Sequence, residues 1–225
     1  MANILITGAN RGIGLEMARA YAARGDSVIA GSRNPADATE LAAIDGVRVE
    51  ALDVSDPGSI KALAIRVGDA PIDVLVNNAG IVGGAKQSLA ELDIDAFHEA
   101  LDTNTIGPLL MAQAFKDNLA ASGNGKLMTV TSQLGAMVWP MGGSYIYGAT
   151  KAAVNRIVRA LAIDWKDEPI TVALVHPGWV QTDMGGPKAE ITPVESATGI
   201  IGVIDGLTPE DAGKFYKWNG EPHAF

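Results

Sequence analysis

Cysteine is absent from the 225 residues. This excludes a disulfide framework, a thiolate metal site and a cysteine nucleophile. It suits a reducing compartment, so a cytoplasmic location is expected. Histidine is scarce, with three in the chain, and no two of them stand at metal-ligand spacing, so no metal is expected. His98 and His176 read as structural residues. No stretch approaches the roughly 18 apolar residues of a membrane span. Met1-Ala2-Asn3 leads straight into Ile4-Leu5-Ile6, too short and too uncharged at its start for a secretory leader. Positive charge is in deficit, with 17 Lys and Arg against 26 Asp and Glu and a net charge of -9. That balance disfavours nucleic acid or an anionic membrane surface as the main partner.

What is present is apolar and regularly interrupted. Hydrophobic residues make up 48% of the chain, enough for one large domain with a full core. No linker or internal repeat stands out, so residues 1–225 read as a single domain. Runs of strand length are expected at Asn3–Thr7, Ser27–Gly31, Val47–Leu52, Ile72–Asn77, Lys126–Thr131, Thr171–His176 and Lys214–Lys217. Helical periodicity falls at Gly12–Arg24, Ala36–Ala43, Ser59–Gly68, Ile94–Ala121, Ser144–Lys166 and Pro193–Gly206. The strands carry few polar positions, as expected when helices cover both faces. The fold class is therefore α/β: one Rossmann-type, doubly wound parallel sheet of about seven strands, flanked by helices on both faces. Ligands of such sheets bind beyond the carboxyl ends of the strands.

The first such end carries Thr7-Gly8-Ala9-Asn10-Arg11-Gly12-Ile13-Gly14. The spacing is G-x-x-x-G-x-G, and its physical demands match those of a dinucleotide turn. Gly8 allows a tight turn, Gly12 lets the backbone approach a pyrophosphate at the helix start, and Gly14 permits close helix–strand packing. After the second strand stands Ser32-Arg33-Asn34, where an acidic residue would favour the ribose hydroxyl of NAD. The fork of Arg33 suits a 2′-phosphate, and Arg11 is placed to help. NADP(H) is therefore favoured, with NAD(H) as the alternative. Each arginine has the plain alternative of a solvated surface charge.

Tyr147 and Lys151 are four residues apart in Tyr147-Gly148-Ala149-Thr150-Lys151. On a helix their side chains rise from one face. An ammonium beside a phenol favours the phenolate, so the Tyr147 pKa is expected below its ordinary value of about 10. Gly142-Gly143-Ser144 precedes the helix, which puts Tyr147 near its positive end.

Together these segments resemble the short-chain dehydrogenases/reductases. Thr7–Gly14 is similar to the cofactor turn of that family, Asn77-Asn78-Ala79-Gly80 to its strand-four motif, Tyr147–Lys151 to its catalytic Y-x-x-x-K, and Pro177-Gly178 to the loop that meets the nicotinamide. The likeness spans about residues 3–185 and looks closest to the carbonyl-reductase-like branch related to the C-factor proteins. It implies an enzyme that moves a hydride between a nicotinamide and a carbonyl or alcohol carbon. Tyr147 would be general acid in reduction and base in oxidation. Lys151 would lower its pKa and bind nicotinamide-ribose hydroxyls. Ser132 would hydrogen-bond the substrate oxygen, and Asn104 would support water near Lys151. Gly8, Asn10, Arg11, Gly12, Ile13, Gly14 and Arg33 would hold the cofactor, together with Asp53, Val54, Asn78, Ala79, Gly80, Tyr147, Lys151, Pro177, Gly178, Val180 and Thr182. Asp53 would meet the adenine amine, Asn78 and Ala79 would act through backbone groups, and Val180 and Thr182 would meet the carboxamide. Pro108 has no N–H, so the Asn104 carbonyl loses its helical partner and is free for a water.

Ser132 lies fifteen positions before Tyr147, where many relatives have about thirteen. Tyr145 has the shorter spacing and lacks a lysine four residues on, so a longer loop at Gln133–Gly143 is the reading. Trp139, Met141, Tyr145, Trp179 and Met184 flank the candidate site, which suggests a small apolar carbonyl or alcohol substrate. Lys188 is the one candidate anchor for an anionic group. Asp183–Pro193 is expected to be a mobile lid. A homo-oligomer through Ile94–Ala121 and Ser144–Lys166 is expected from the resemblance. A nucleotide-binding signalling or regulatory protein with little turnover is the competing reading. It would need only the amino-terminal motifs.

Overall fold

The computed structural model describes residues 1–85 and 87–225. In chain order its strands are β1 (Asn3–Ile6), β2 (Ser27–Ser32), β3 (Val47–Ala51), β4 (Val74–Asn77), β5 (Gln87–Ser88), β6 (Glu91–Leu92), β7 (Gly125–Val130), β8 (Ile170–His176) and β9 (Phe215–Lys217). The helices are α1 (Gly12–Ala23), α2 (Thr39–Ala42), α3 (Pro57–Val67), α4 (Ile94–Leu101), α5 (Gly107–Ala121), α6 (Tyr145–Asp164) and α7 (Pro193–Gly206). Seven strands form one parallel sheet in the order β3-β2-β1-β4-β7-β8-β9.

Alternation along the strands builds two cores. Ile4, Ile6, Val28, Ala30, Val76 and Met128 face α1, α2 and α7. Leu5, Leu75, Leu127, Val172 and Leu174 face α3, α5 and α6. Successive residues of a strand point to opposite faces, so one apolar run serves both layers. After β1 the chain winds outward to β2 and β3, then returns to place β4 on the other side of β1. That reversal opens a crevice at the carboxyl ends of β1 and β4.

The expected α/β architecture stands, with local corrections. The helix expected at Ala36–Ala43 splits into a 3-10 turn, Pro35–Asp37, and the single turn α2. Helix α3 begins at Pro57, because Asp56 caps it by accepting the Gly58 N–H at 2.8 Å. The long helix expected over Ile94–Ala121 is interrupted by a π turn at Asp102–Ile106. There the Gly107 N–H reaches back to the Asp102 carbonyl, five residues earlier. The hairpin β5–β6 was not anticipated: four residues without β-branched side chains give no strand signal. Helix α7 has the expected bounds, marked locally by a capping box between Thr192 and Glu195. Among the described residues, no helix is long and apolar enough to cross a membrane.

Candidate active site

A cleft of about 570 Å³ lies at the carboxyl ends of the strands. Its walls include Gly8, Asn10, Arg11, Gly12 and Ile13 from the turn after β1, Arg33 after β2, and Asp53 and Val54 after β3. Asn78, Ala79 and Gly80 after β4 join them, with Tyr147 and Lys151 from α6, and Pro177 and Thr182 after β8. The sheet order puts Arg33 and Asp53 on one side of the crevice and the α6 residues on the other.

The glycine turn is shaped by close approach. Gly8 has φ +63°, and a Cβ there would lie 2.8 Å from the Ala79 Cα. A Cβ on Gly14 would lie 2.5 Å from the Gly8 carbonyl oxygen. Gly14 is buried and does not line the cleft; its role is packing, as its spacing implied. Thr7, not singled out from sequence, ties the two central strands together. Its hydroxyl accepts the N–H groups of Asn78 and Ala79, each at 3.0 Å. The Asn78 side chain donates to the carbonyls of Thr7 at 2.9 Å and Gly8 at 3.0 Å. Those two backbone N–H groups therefore face Thr7 rather than the cleft.

Arg33 is exposed at the cleft wall and pairs with no carboxylate among the described residues. Arg11 does not stand free beside it: its Nη1 bonds Asp183 Oδ2 at 2.8 Å, joining the glycine turn to the segment after β8. Asp37, which sequence reasoning passed over, lines the same cleft as Arg33. Asp53 Oδ1 accepts from the Ser55 N–H at 2.9 Å and hydroxyl at 2.6 Å, so it shapes its own turn as well as lining the cleft.

Tyr147 lies in the first turn of α6 and is half-buried. Lys151 is only 4% exposed. Its Nζ donates to the Val130 carbonyl at 2.9 Å and stands 5.7 Å from the centre of the Tyr147 ring. The expectation of a lowered phenol pKa is corrected by burial. Desolvation pushes Tyr147 up to about 12, while the Ser132 hydroxyl pulls against that rise. Burial pushes Lys151 down to about 8. Removal from water disfavours the charged form of each group, and at this separation the ammonium does not overcome it.

Ser132 follows β7 by two residues, at the start of the 3-10 turn Gln133–Gly135, and is 7% exposed. Its oxygen accepts the Leu134 N–H at 3.1 Å, so the end-of-strand turn and the proximity to Tyr147 coexist. Asn104 sits in the π turn. Its Oδ1 accepts the Ile81 N–H at 2.9 Å, and its Nδ2 donates to the Ile81 carbonyl at 2.8 Å and to Thr150 Oγ1 at 3.0 Å. A Cβ on Gly80 would lie 3.2 Å from Asn104 Oδ1 and 3.5 Å from Lys151 Nζ, so both groups border one small gap. Gln87 was also missed. Its Oε1 accepts the Tyr147 N–H at 3.1 Å, satisfying a donor that the start of α6 leaves open. No local signal marks a cap that arrives from sixty residues away.

Gly178 and Val180 stand back from the cleft. Gly178, with φ +86°, makes room for the Trp218 ring and Ile191, and Val180 is 4% exposed and bridges Ile191. The expected lid has an internal scaffold. The Gln181 N–H donates to the Ile191 carbonyl at 2.9 Å, its Nε2 to the Ala189 carbonyl at 3.0 Å, and Trp179 Nε1 to the Gly185 carbonyl at 2.8 Å. Trp139, Met141, Tyr145, Trp179 and Met184 are all exposed, and Met184 lines the cleft itself. Met137 and Val138 extend this apolar surface. Lys188 is exposed and does not line the cleft.

The family described as short chain dehydrogenase matches residues 2–191. The C-signal of Myxococcus xanthus is 39% identical over 162 residues, covering 72% of this chain and 97% of that protein. The 1-hydroxy-2-glutathionyl-2-methyl-3-butene dehydrogenase of Rhodococcus sp. (strain AD45) is 34% identical, covering 98% of both. Among solved structures, an NADPH-bound carbonyl reductase from chicken fatty liver superposes with a TM-score of 0.91 at 32% identity, covering 100% of this chain and 99% of its own.

Proposed function

The chain belongs to the short chain dehydrogenase family, and from that premise we propose that it is an NADP(H)-dependent carbonyl reductase acting on a small apolar carbonyl. The observation that carries this reading is that Tyr147, with the Ser132 hydroxyl beside it, and Lys151 line one end of a dinucleotide-sized cleft whose other side presents Arg33.

The residues present fit the cofactor. The glycine turn offers bare backbone where a pyrophosphate would lie, Asp53 and Val54 wall the adenine side, and the unpaired guanidinium of Arg33 would take the 2′-phosphate. The bound cofactor would supply the hydride. The protein supplies position and the proton. With its phenol pushed up to about 12, Tyr147 carries its proton throughout the neutral range and gives it to the carbonyl oxygen. The Ser132 hydroxyl donates to that same oxygen. Lys151, at about 8, is charged at neutral pH and stabilises the phenolate left on Tyr147. The positive end of α6 acts in the same sense. Asn104 holds the Ile81 backbone against α6 beside Lys151. The exposed apolar surface of Trp139, Met141, Tyr145, Trp179 and Met184 would cover an apolar substrate. Exposed Ile106, Leu109 and Ile163 on the long helices suit a homo-oligomer, and the cytoplasm is the proposed location.

The likeness to the C-signal favours a second reading, a nucleotide-binding signalling or regulatory protein. Such a protein needs the cleft and has no use for Tyr147. A panel of aldehydes and ketones, with NADPH and NADH oxidation followed separately, distinguishes the two. The expected outcome is turnover with NADPH ahead of NADH. Tyr147→Phe should lose at least about a hundredfold in kcat while NADPH affinity stays within about threefold. A Tyr147→Phe protein as active as the wild type sinks the catalytic assignment. Tight NADPH binding without turnover across the panel supports the second reading.

A further inference from the structure

We propose that Asn155 is a positioning residue for proton transfer, its carboxamide fixing where the Ser132 hydroxyl stands relative to Tyr147. This deepens the catalytic reading above and rests on it. Asn155 lies on α6 one turn beyond Lys151 and two beyond Tyr147, so the three side chains share one face. Asn155 is 3% exposed. The Thr131 hydroxyl, 1% exposed, donates to Asn155 Oδ1 at 2.6 Å. Asn155 Nδ2 donates to the Gly135 carbonyl at 3.1 Å. Thr131 immediately precedes Ser132, and Gly135 closes the turn that Ser132 begins, its N–H donating to the Ser132 carbonyl at 2.9 Å. One side chain therefore grips the Ser132 turn from both sides.

The grip is short and buried. A Cβ on Gly135 would lie 2.6 Å from the Lys151 carbonyl carbon and 2.8 Å from the Ala152 nitrogen, so only glycine lets the turn sit directly on the helix. A buried amide or hydroxyl that loses its partner is left unsatisfied, which is costly. Proton donor, charge partner and clamp all belong to one rigid helix, and the Ser132 turn takes its register from it. Both hydroxyls must meet one substrate oxygen, and a misplacement of about 1 Å can cost about a hundredfold in rate. The Ser132 hydroxyl also opposes the rise of the Tyr147 pKa, so moving it changes the electrical surroundings of the phenol.

The plain alternative is a core amide that serves folding alone. Three variants separate the two. Asn155→Ala removes both bonds. Thr131→Val, close in shape, removes the hydroxyl and leaves Asn155 Oδ1 unpaired, whereas Thr131→Ser keeps the donor. The measurements are kcat and KM with NADPH and a carbonyl that the wild type reduces, the thermal midpoint, and the 13Cζ NMR signals of the four tyrosines. The Tyr147 signal is assigned by its disappearance in Tyr147→Phe. Asn155→Ala and Thr131→Val are expected to lose about ten- to a hundredfold in kcat, with both KM values within about threefold. The Tyr147 signal should move while those of Tyr21, Tyr145 and Tyr216 stay, and Thr131→Ser should restore both readouts. Unchanged kcat, an equal loss in Thr131→Ser, or matching shifts in all four signals overturns the proposal. Should Asn155→Ala fail to fold, Thr131→Val and Thr131→Ser still decide. Should the wild type reduce no carbonyl, the catalytic reading falls, and the NMR comparison of those two variants decides alone: a static Tyr147 signal overturns the coupling, a Tyr147-specific shift supports it.

Discussion

At the scale of single residues, Lys151 is held where stability and chemistry conflict. A lysine 4% exposed has left water, and its pKa falls to about 8 from an ordinary value of about 10.4. Between those two values the unfolded chain binds more protons than the folded one, so stability rises with pH across that window. Below pH 8 both states are protonated and the full cost of the buried charge is felt. Lys151→Met removes that cost. It should therefore unfold later than the wild type at pH 7, by at most on the order of 3 kcal/mol, with the advantage shrinking towards pH 10. Urea unfolding at the two pH values checks it, and an equal difference at both would show that the ammonium carries no such burden. The same variant should lose about a hundredfold or more in kcat at pH 7, because the phenolate left on Tyr147 loses its counter-charge. Tyr147 and Lys151 were legible in sequence because four residues make one helical turn. Their pKa values were not, because desolvation depends on what packs around the pair.

At the scale of elements, the π turn between α4 and α5 aims Asn104. Pro108 cannot donate to the carbonyl four residues back, and Gly107 brings the helix against the β3 side of the cleft. A Cβ on Gly107 would lie 2.6 Å from the Val54 carbonyl oxygen and 3.1 Å from the Val54 Cβ. Asn77 Nδ2 donates to the Pro108 carbonyl at 3.1 Å, fastening the turn to the end of β4. Gly107→Ala raises helix propensity by about 1 kcal/mol but drives a methyl into backbone that cannot move aside, at a cost of about 1–3 kcal/mol. The clash is expected to win: the thermal midpoint falls and NADPH binding weakens, because Val54 walls the cleft. A rise in the midpoint with unchanged NADPH affinity, followed by fluorescence, would show that propensity dominates. Helix α7 was read with its bounds because Thr192 and Glu195 cap it from within the local sequence. The interruption at Asp102–Ile106 was not, because a proline permits a kink, a π turn or a helix start equally, and packing chooses.

At the scale of the whole molecule, the last residues pack against the turn after β8 and beside Trp139. The Trp218 ring packs on Gly178, in the turn after β8. The tail then folds back: the His223 N–H donates to the Phe215 carbonyl at 2.7 Å, and the His223 ring lies 4.5 Å from Phe215 and 6.3 Å from Trp139. Phe225 packs 5.6 Å from Phe215, beneath the Arg159 guanidinium at 4.7 Å. The tail therefore braces the Trp139 loop and makes no contact of this kind with the glycine turn. Deleting residues 219–225 should lower the thermal midpoint and raise KM for the carbonyl severalfold, with NADPH affinity close to unchanged. Equal loss of NADPH affinity would place the tail's influence on the cofactor side instead.

Taken alone, the sequence determined the alternating α/β order, the nucleotide turn and the Tyr147–Lys151 spacing. These depend on neighbours within a few positions, where strand period, helix period and glycine freedom act directly. Only the tertiary structure decided what reaches those residues from afar. Thr7 welds β1 to β4, Gln87 caps Tyr147, Arg11 turns to Asp183, and Asn155 grips the turn that carries Ser132. Each of these is a polar contact between segments that meet only when the sheet closes. Hydrogen bonds of that kind are set by the position of whole elements, and no local pattern records them.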